Sequence, residues 1–319
     1  MKKVLFVNAT AGRAKKGKEL DNLLAEAGKI PDLEVHIIER DDNLPWQVKN
    51  YLRQDVKIFG VAGGDGTVNS VASCLVNTNI PLVVVPFGTL NHFARDIGVP
   101  PTPVEAVRLF EDTGATEIRI DVGEVNGNYF LNNSSIGIYP RLVKQREKYE
   151  ARLGKLFAYL LAGWNVLRRP NLLHVRLQVN GEKQDMKVGL LFFSNNRINM
   201  TPLQAGQRAR LDDQIFDVYL VKAGTFFELF RVAASFLRNK LVESPLVTQA
   251  GVCEATVYTS RHHLPVAFDG ETRNFTSPLE YKIHPAALLV RALPENVEKG
   301  LDAAKGEKDE TQAKQTGVA

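Results

Sequence analysis

The chain has 319 residues, 44% of them hydrophobic and 24% charged, and a formal net charge of +4, the composition of an ordinary soluble globular protein long enough for two cores. Its two cysteines, Cys74 and Cys253, lie far apart, which excludes a disulfide framework and a zinc site and fits a reducing cytoplasm. Val4–Val7 is too short for the apolar core of a signal peptide, no segment has the length or freedom from charge of a membrane span, and no nucleic-acid partner is expected.

In chain order, the pattern predicts a strand over Lys3–Asn8, a helix near Gly17–Ala27, a strand over Leu33–Glu39 and a helix near Trp46–Gln54. Two modules of one design follow. Val56–Ala62 reads as a strand, Gly63-Gly64-Asp65-Gly66-Thr67 as a turn, and Val68–Val76 as a helix. Then Pro81–Val85 reads as a strand, Pro86–Thr89 as a turn, and Leu90–Ile97 as a short helix. Glycines between a strand and a helix let the backbone approach an anion, and the N–H groups that open the helix supply positive potential. A carboxylate such as Asp65 among those donors suits a metal ion, a ribose hydroxyl or the proton of an attacking alcohol. If both strands share one parallel sheet, Gly64, Asp65, Thr67, Gly88, Thr89 and Asn91 face a single ligand at the strand ends. The alternative is that the glycines merely end strands and Thr89 caps a helix.

A last strand of the first region is predicted over Thr116–Asp121, completing a parallel sheet with helices on both faces. Beyond it the texture changes to short β-rich runs, namely Tyr129–Asn132, His174–Val179, Lys187–Ser194, Phe216–Val221, Glu254–Ser260, Pro265–Phe268 and Leu279–Ile283. A β-sandwich-like second domain is expected there. The boundaries are therefore 1–121 for the α/β domain and 122–286 for the β-rich one, with a final strand near 287–294 returning to the first and a disordered tail over 295–319.

Arg141–Arg169 interrupts the β texture with a predicted helix bearing eight basic residues against Glu147 and Glu150, a surplus larger than that of the whole chain. It reads either as an element lying on an anionic membrane or as a domain helix with a solvated basic face. A second amphipathic stretch, from Phe226 to Leu241, is apolar around most of its circumference, which favours a core helix over membrane contact. Asp269-Gly270 by itself reads as a hairpin turn.

The two glycine loops (the second running Pro86-Phe-Gly-Thr-Leu-Asn-His-Phe-Ala-Arg95), followed by Phe268-Asp-Gly-Glu271, resemble the diacylglycerol and sphingosine kinase catalytic-domain family, in order over residues 3 to 294. The first loop is shared with NAD kinases and phosphofructokinases; the second loop and the late Asp-Gly-Glu narrow the choice to lipid kinases. The sequence departs from the family pattern at Ala9, where the opening Asn-Pro-x-Ser-Gly has its Pro, at His92, where an Asp is usual, and at Gln214, where a Gly is usual.

The resemblance implies an NAD-kinase/phosphofructokinase-like α/β nucleotide-binding domain followed by a β-sandwich-like domain, with the active site in the cleft between them. It implies an ATP-dependent lipid kinase, peripheral at the inner membrane face, using Mg²⁺ and a diacylglycerol-like acceptor, and a homodimer in some relatives. On this reading Asn8, Gly12, Gly63, Gly64, Asp65, Gly66, Thr67, Gly88, Thr89 and Asn91 bind nucleotide, with Lys15 or Lys16 offsetting phosphoryl charge. Asp269 is the leading general base and Asp65 its rival. Glu271 holds Mg²⁺ and borders the nucleotide, and Asp213 holds a structural Mg²⁺. A kinase for a soluble acceptor such as NAD, and a non-catalytic nucleotide- or lipid-binding relative, are the alternatives.

Overall fold

The structure, a computed structural model, describes residues 2–10, 12, 17–39, 42–143, 145, 172–202, 206–208 and 210–293. Lys15, Lys16, the 295–319 tail and nearly all of the basic 141–169 segment lie outside the described residues. The chain divides into two compact units, Met1–Val122 with Arg208–Asp213 and the chain from Pro285 onward, and Gly123–Gln207 with Gln214–His284.

In the first unit β1 (Lys3–Asn8), β2 (Leu33–Ile38), β3 (Ile58–Gly63) and β4 (Leu82–Pro86) form a parallel sheet in the order β2-β1-β3-β4. β3 and β4 are buried along their whole length, which is why IFGVAG and LVVVP read as unbroken apolar runs rather than alternating ones. Helices α1 (Lys18–Ala27), α2 (Leu44–Leu52), α3 (Asp65–Leu75), α4 (His92–Asp96) and α5 (Pro103–Val107) fill the connections. The starts of α2 and α5 are fixed locally, by the Asn43 side chain accepting from Trp46 N and the Thr102 side chain accepting from Glu105 N. α3 has no such side-chain cap.

Two later segments complete this unit. Arg208 forms an ion pair with Asp96 at 2.8 Å, with both side chains buried, so residues 208–213 are fastened to the end of α4. The last part of a long strand running from Leu279 to Ala292 pairs in parallel with β4 through Val290 and Leu82. Its entry is held by Asp121, 1% exposed, whose Oδ1 accepts the Ala286 N–H at 2.9 Å.

The second unit carries a six-stranded antiparallel sheet. After β5 (Thr116–Val125) and β6 (Asn128–Phe130) come β7 (Asn133–Gly137), β8 (Leu173–Val179), β9 (Glu182–Val188), β10 (Leu190–Asn195) and β11 (Phe216–Val221). The helix α6 (Phe226–Leu237) precedes β12 (Val247–Val252), β13 (Glu254–Thr259), β14 (His263–Phe268), β15 (Glu271–Thr276) and β16 (Leu279–Ala292). The sheet order is β12-β11-β10-β7-β14-β15. Facing it, β9, β8 and β13 pair antiparallel with one another and with the first half of β16. The core between them is aromatic: Phe193 stacks on Tyr281 with centroids 3.8 Å apart, and Phe130 and Phe216 pack around them. Burial pushes the Tyr281 phenol well above its ordinary range, and its oxygen lies 3.1 Å from Ser134 Oγ.

Hairpin chemistry shapes this unit. Asn126-Gly127, Asn180-Gly181 and Asp269-Gly270 each place two consecutive residues at positive φ and join paired strands by a two-residue turn. Gln214, where the resemblance expected glycine, keeps the left-handed turn at φ 60. Ala286 also sits at φ 50 with its side chain exposed. An L-residue there costs about 1–2 kcal/mol. Ala286→Gly therefore loses no packing and should stabilise the protein by about 0.5–1 kcal/mol after the entropy of glycine is set against the relief; chemical denaturation of the two proteins measures it, and an unchanged or lower midpoint would contradict the strain argument.

Candidate active site

The two glycine loops touch. β3 and β4 are adjacent and parallel, with Gly63 opposite Pro86, so both chains leave the sheet at the same level. A Cβ on Gly88 would lie 2.5 Å from Gly64 Cα and 3.2 Å from Gly64 N. None of Gly63, Gly64, Gly66 or Gly88 has positive φ, so what constrains Gly63 and Gly88 is space rather than torsion. The Phe87 N–H donates to Gly63 O at 3.1 Å, tying the second loop to the first.

Side chains finish the joint. Asp65, the first residue of α3, accepts the Phe93 N–H on Oδ1 at 3.1 Å; its other oxygen has no protein partner among the described residues. The Asn91 side chain, 8% exposed, accepts from Gly88 N at 2.8 Å and donates to Gly88 O at 3.1 Å. Both its polar ends are thus engaged with the loop backbone, so Asn91 shapes the turn. From the end of β1, Asn8 Nδ2 donates to Thr67 Oγ1 at 2.9 Å, and Asn8 Oδ1 accepts from the backbone and side chain of Thr10. Gly12 lies against the second loop, where an added Cβ would fall 2.6 Å from Thr89 Oγ1.

The structure therefore brings Asn8, Gly12, Gly63, Gly64, Asp65, Gly66, Thr67, Gly88, Thr89 and Asn91 to one end of one parallel sheet. At its centre is the start of α3, where the first intrahelical bond is Val68 N–H to Gly64 O. The N–H groups of Asp65, Gly66 and Thr67 precede that bond, and without a side-chain cap they present partial positive charge at the sheet edge. The arrangement can hold an anion of phosphate type. His92 stands exposed at the start of α4, and its Nδ1 accepts from Arg95 at 2.8 Å.

The remaining expected acids, Asp269 and Glu271 of the second unit and Asp213 of the first, have partners of their own. Asp269 is the first residue of the β14–β15 turn and is 8% exposed. Its carboxylate accepts backbone N–H groups of Leu131 and Asn132 at 2.7 Å and of Asn133 at 3.2 Å. Three amide donors on one buried carboxylate make it a clamp that orders the chain between β6 and β7. Glu271 is exposed and pairs with Arg273 at 3.2 Å, and Asp213 lies 3.6 Å from Arg210. Among the described residues no three His, Cys, Asp or Glu side chains converge. Sequence reasoning missed two contributors, the Phe93 N–H and the buried Asp96–Arg208 pair; the acid at 96 and the arginine at 208 carry no motif that links them.

Comparison with known proteins gives the same reading at the level of class and then of family. Residues 2–125 match the diacylglycerol kinase catalytic domain, and residues 134–292 match the YegS C-terminal NAD kinase beta sandwich-like domain. The fold and the glycine site thus belong to a class of phosphotransferases. The chain is a member of the diacylglycerol kinase catalytic-domain family. It is 24% identical to a diacylglycerol kinase of Staphylococcus carnosus over 84% of this chain and 87% of that protein. It is 27% identical to a diacylglycerol kinase of Bacillus subtilis over 84% and 88% respectively. A crystal structure of a Bacillus anthracis diacylglycerol kinase shares the fold, with a TM-score of 0.71, 23% identity, and coverage of 92% of this chain and 98% of that one.

Two substitutions test the architecture. Gly88→Ala should cost about 1–3 kcal/mol, because the methyl meets backbone that cannot swing aside; a thermal melt indistinguishable from that of the parent protein would mean the loops part freely. Asp269→Ala leaves backbone N–H groups without their acceptor and should lower stability by about 3 kcal/mol, read from urea denaturation.

Proposed function

We propose that this protein transfers the γ-phosphoryl group of ATP to the hydroxyl of a lipid of the diacylglycerol class. The observation that carries the reading is the uncapped start of α3 pressed against the second glycine loop, with one carboxylate, Asp65, set between them. Phosphoryl transfer needs little covalent help from a protein; it needs positioning and neutralisation of charge. The N–H groups of Gly64 to Thr67 supply both to the polyphosphate. The Thr67 and Thr89 hydroxyls add directional bonds, and Asn8 and Gly12 border the nucleotide from the end of β1.

In the reaction the lipid oxygen attacks the γ-phosphorus, its bond to phosphorus forms as the bond to the β–γ bridging oxygen breaks, and ADP leaves with that electron pair. The hydroxyl proton passes to Asp65. What supports Asp65 over Asp269 as the base is the state of the two carboxylates. Asp65 has one oxygen without a protein partner among the described residues and is oriented by the Phe93 N–H through the other, whereas Asp269 is buried and accepts three backbone donors. The acceptor class is supported by the family and by its second loop, Pro86-Phe-Gly-Thr-Leu-Asn91.

Purified protein incubated with γ-labelled ATP, Mg²⁺ and a total lipid extract should transfer label to an organic-soluble product. Asp65→Ala should lower that rate by about 10²-fold or more, while Asp269→Asn should act mainly through stability. Label moving to a water-soluble acceptor with lipid absent, or no transfer to any lipid, would overturn the proposal.

A further inference from the structure

The helix α6 does not do what its sequence suggests. An apolar stretch this broad is expected in a core, yet no residue of the helix is buried. Phe227 is 76% exposed, Phe230 65% and Leu237 72%, with Phe226 at 38%. Its other face, through Leu229 and Val232, packs on the small cluster of Tyr219, Val221, Ala223 and Val247. The helix is nevertheless well specified: Thr225 and Glu228 close a reciprocal capping box, so it forms without needing cover for the phenylalanines.

The exposed residues have a pattern. By helical geometry Phe226, Phe230 and Leu237 lie along one line, Phe227 lies beside them, and Arg231 and Arg238 run along the far side of Phe227. Beyond the helix end Lys240 and Val242, the latter 53% exposed, are also open to solvent. Of the two carboxylates of this stretch, Glu228 accepts the Gly224 and Thr225 N–H groups and Glu243 pairs with Lys240 at 3.3 Å, which leaves Arg231 and Arg238 as the basic edge of the helix. An aromatic stripe edged by arginines, lying flat on its own unit, has the chemistry of the boundary between headgroup and acyl chain. The rings enter the acyl region, and the guanidinium groups stay at anionic headgroups while their stems follow the apolar face.

We infer that α6 is the element through which this protein sits on an anionic lipid bilayer, with Phe227, Phe230 and Leu237 inserted and Arg231 and Arg238 at the headgroups. The inference shares with the proposed kinase activity the idea of a lipid acceptor, and its test reads binding without phosphoryl transfer.

The full chain is sedimented with vesicles of phosphatidylcholine containing phosphatidylglycerol and with vesicles of phosphatidylcholine alone. The parent protein should partition to the anionic vesicles. Phe227→Ser combined with Phe230→Ser should reduce that partition by about tenfold or more, and Arg231→Gln and Arg238→Gln by about fivefold each. All these positions are exposed, so thermal melts should stay unchanged; if the serine pair fails to fold, the arginine pair carries the same test. Phosphorylation of a short-chain diacylglycerol dispersed as monomers should proceed at the parent rate in every variant. If no lipid is phosphorylated at all, the kinase reading falls while vesicle partition still decides the role of α6. The inference is overturned if the serine pair binds anionic vesicles as the parent does, or if light scattering shows a parent dimer that the serine pair turns into monomers with vesicle binding intact.

Discussion

The contact between Gly64 and Gly88 sets the geometry of the candidate site. Two parallel strands end side by side, and their exit loops approach so closely that Gly88 cannot carry a side chain where it faces Gly64. From this contact the remaining positions follow. The Phe87 N–H reaches Gly63 O, Asp65 reaches the Phe93 N–H, and the uncapped start of α3 is left facing the sheet edge. Most phosphate-holding loops are discussed in terms of glycine torsions. Here the torsions are ordinary, and the requirement is for two backbones to share one volume.

Much of this was legible in the sequence, and the reasons are physical. Buried parallel strands need apolar residues on both faces, so Lys3–Asn8, Ile58–Gly63 and Leu82–Pro86 announce themselves within a residue or two. The β9 strand was hidden because it is largely exposed: Glu-Lys-Gln-Asp-Met-Lys-Val satisfies its backbone against β8 with little apolar signal. The Asn180-Gly181 pair ahead of it was the available cue. The β12 and β15 strands are polar for the same reason. Of the site, the residues that touch through backbone were readable from spacing, whereas the engagement of Asp269 with Leu131–Asn133 depends on atoms brought together from more than 130 residues apart, which no spacing encodes.

The two acids flanking this question show how one residue type takes on different work in different surroundings. Asp269 sits in a turn that its own sequence favours, and its carboxylate organises a neighbouring stretch of chain. Asp65 sits at the first turn of α3, where one N–H, that of Phe93, orients it through Oδ1. The breadth of apolar residues in α6 misled in a similar way. Width around the helix was read as burial, but a strong capping box lets the helix stand with its rings in solvent.

The fastening of Arg208 to Asp96 bears on how the chain can be cut. The α/β unit is not a contiguous stretch: it needs six residues from 208 to 213 and the strand after Pro285 as well as the first 122. A fragment ending near 122 would lose the ion pair of Asp96 with Arg208 and would bare the flank of β4 where Val290 docks. A protein engineer seeking the nucleotide half alone would have to splice three pieces, so the ribosome must finish nearly the entire polypeptide before that half can reach its native form.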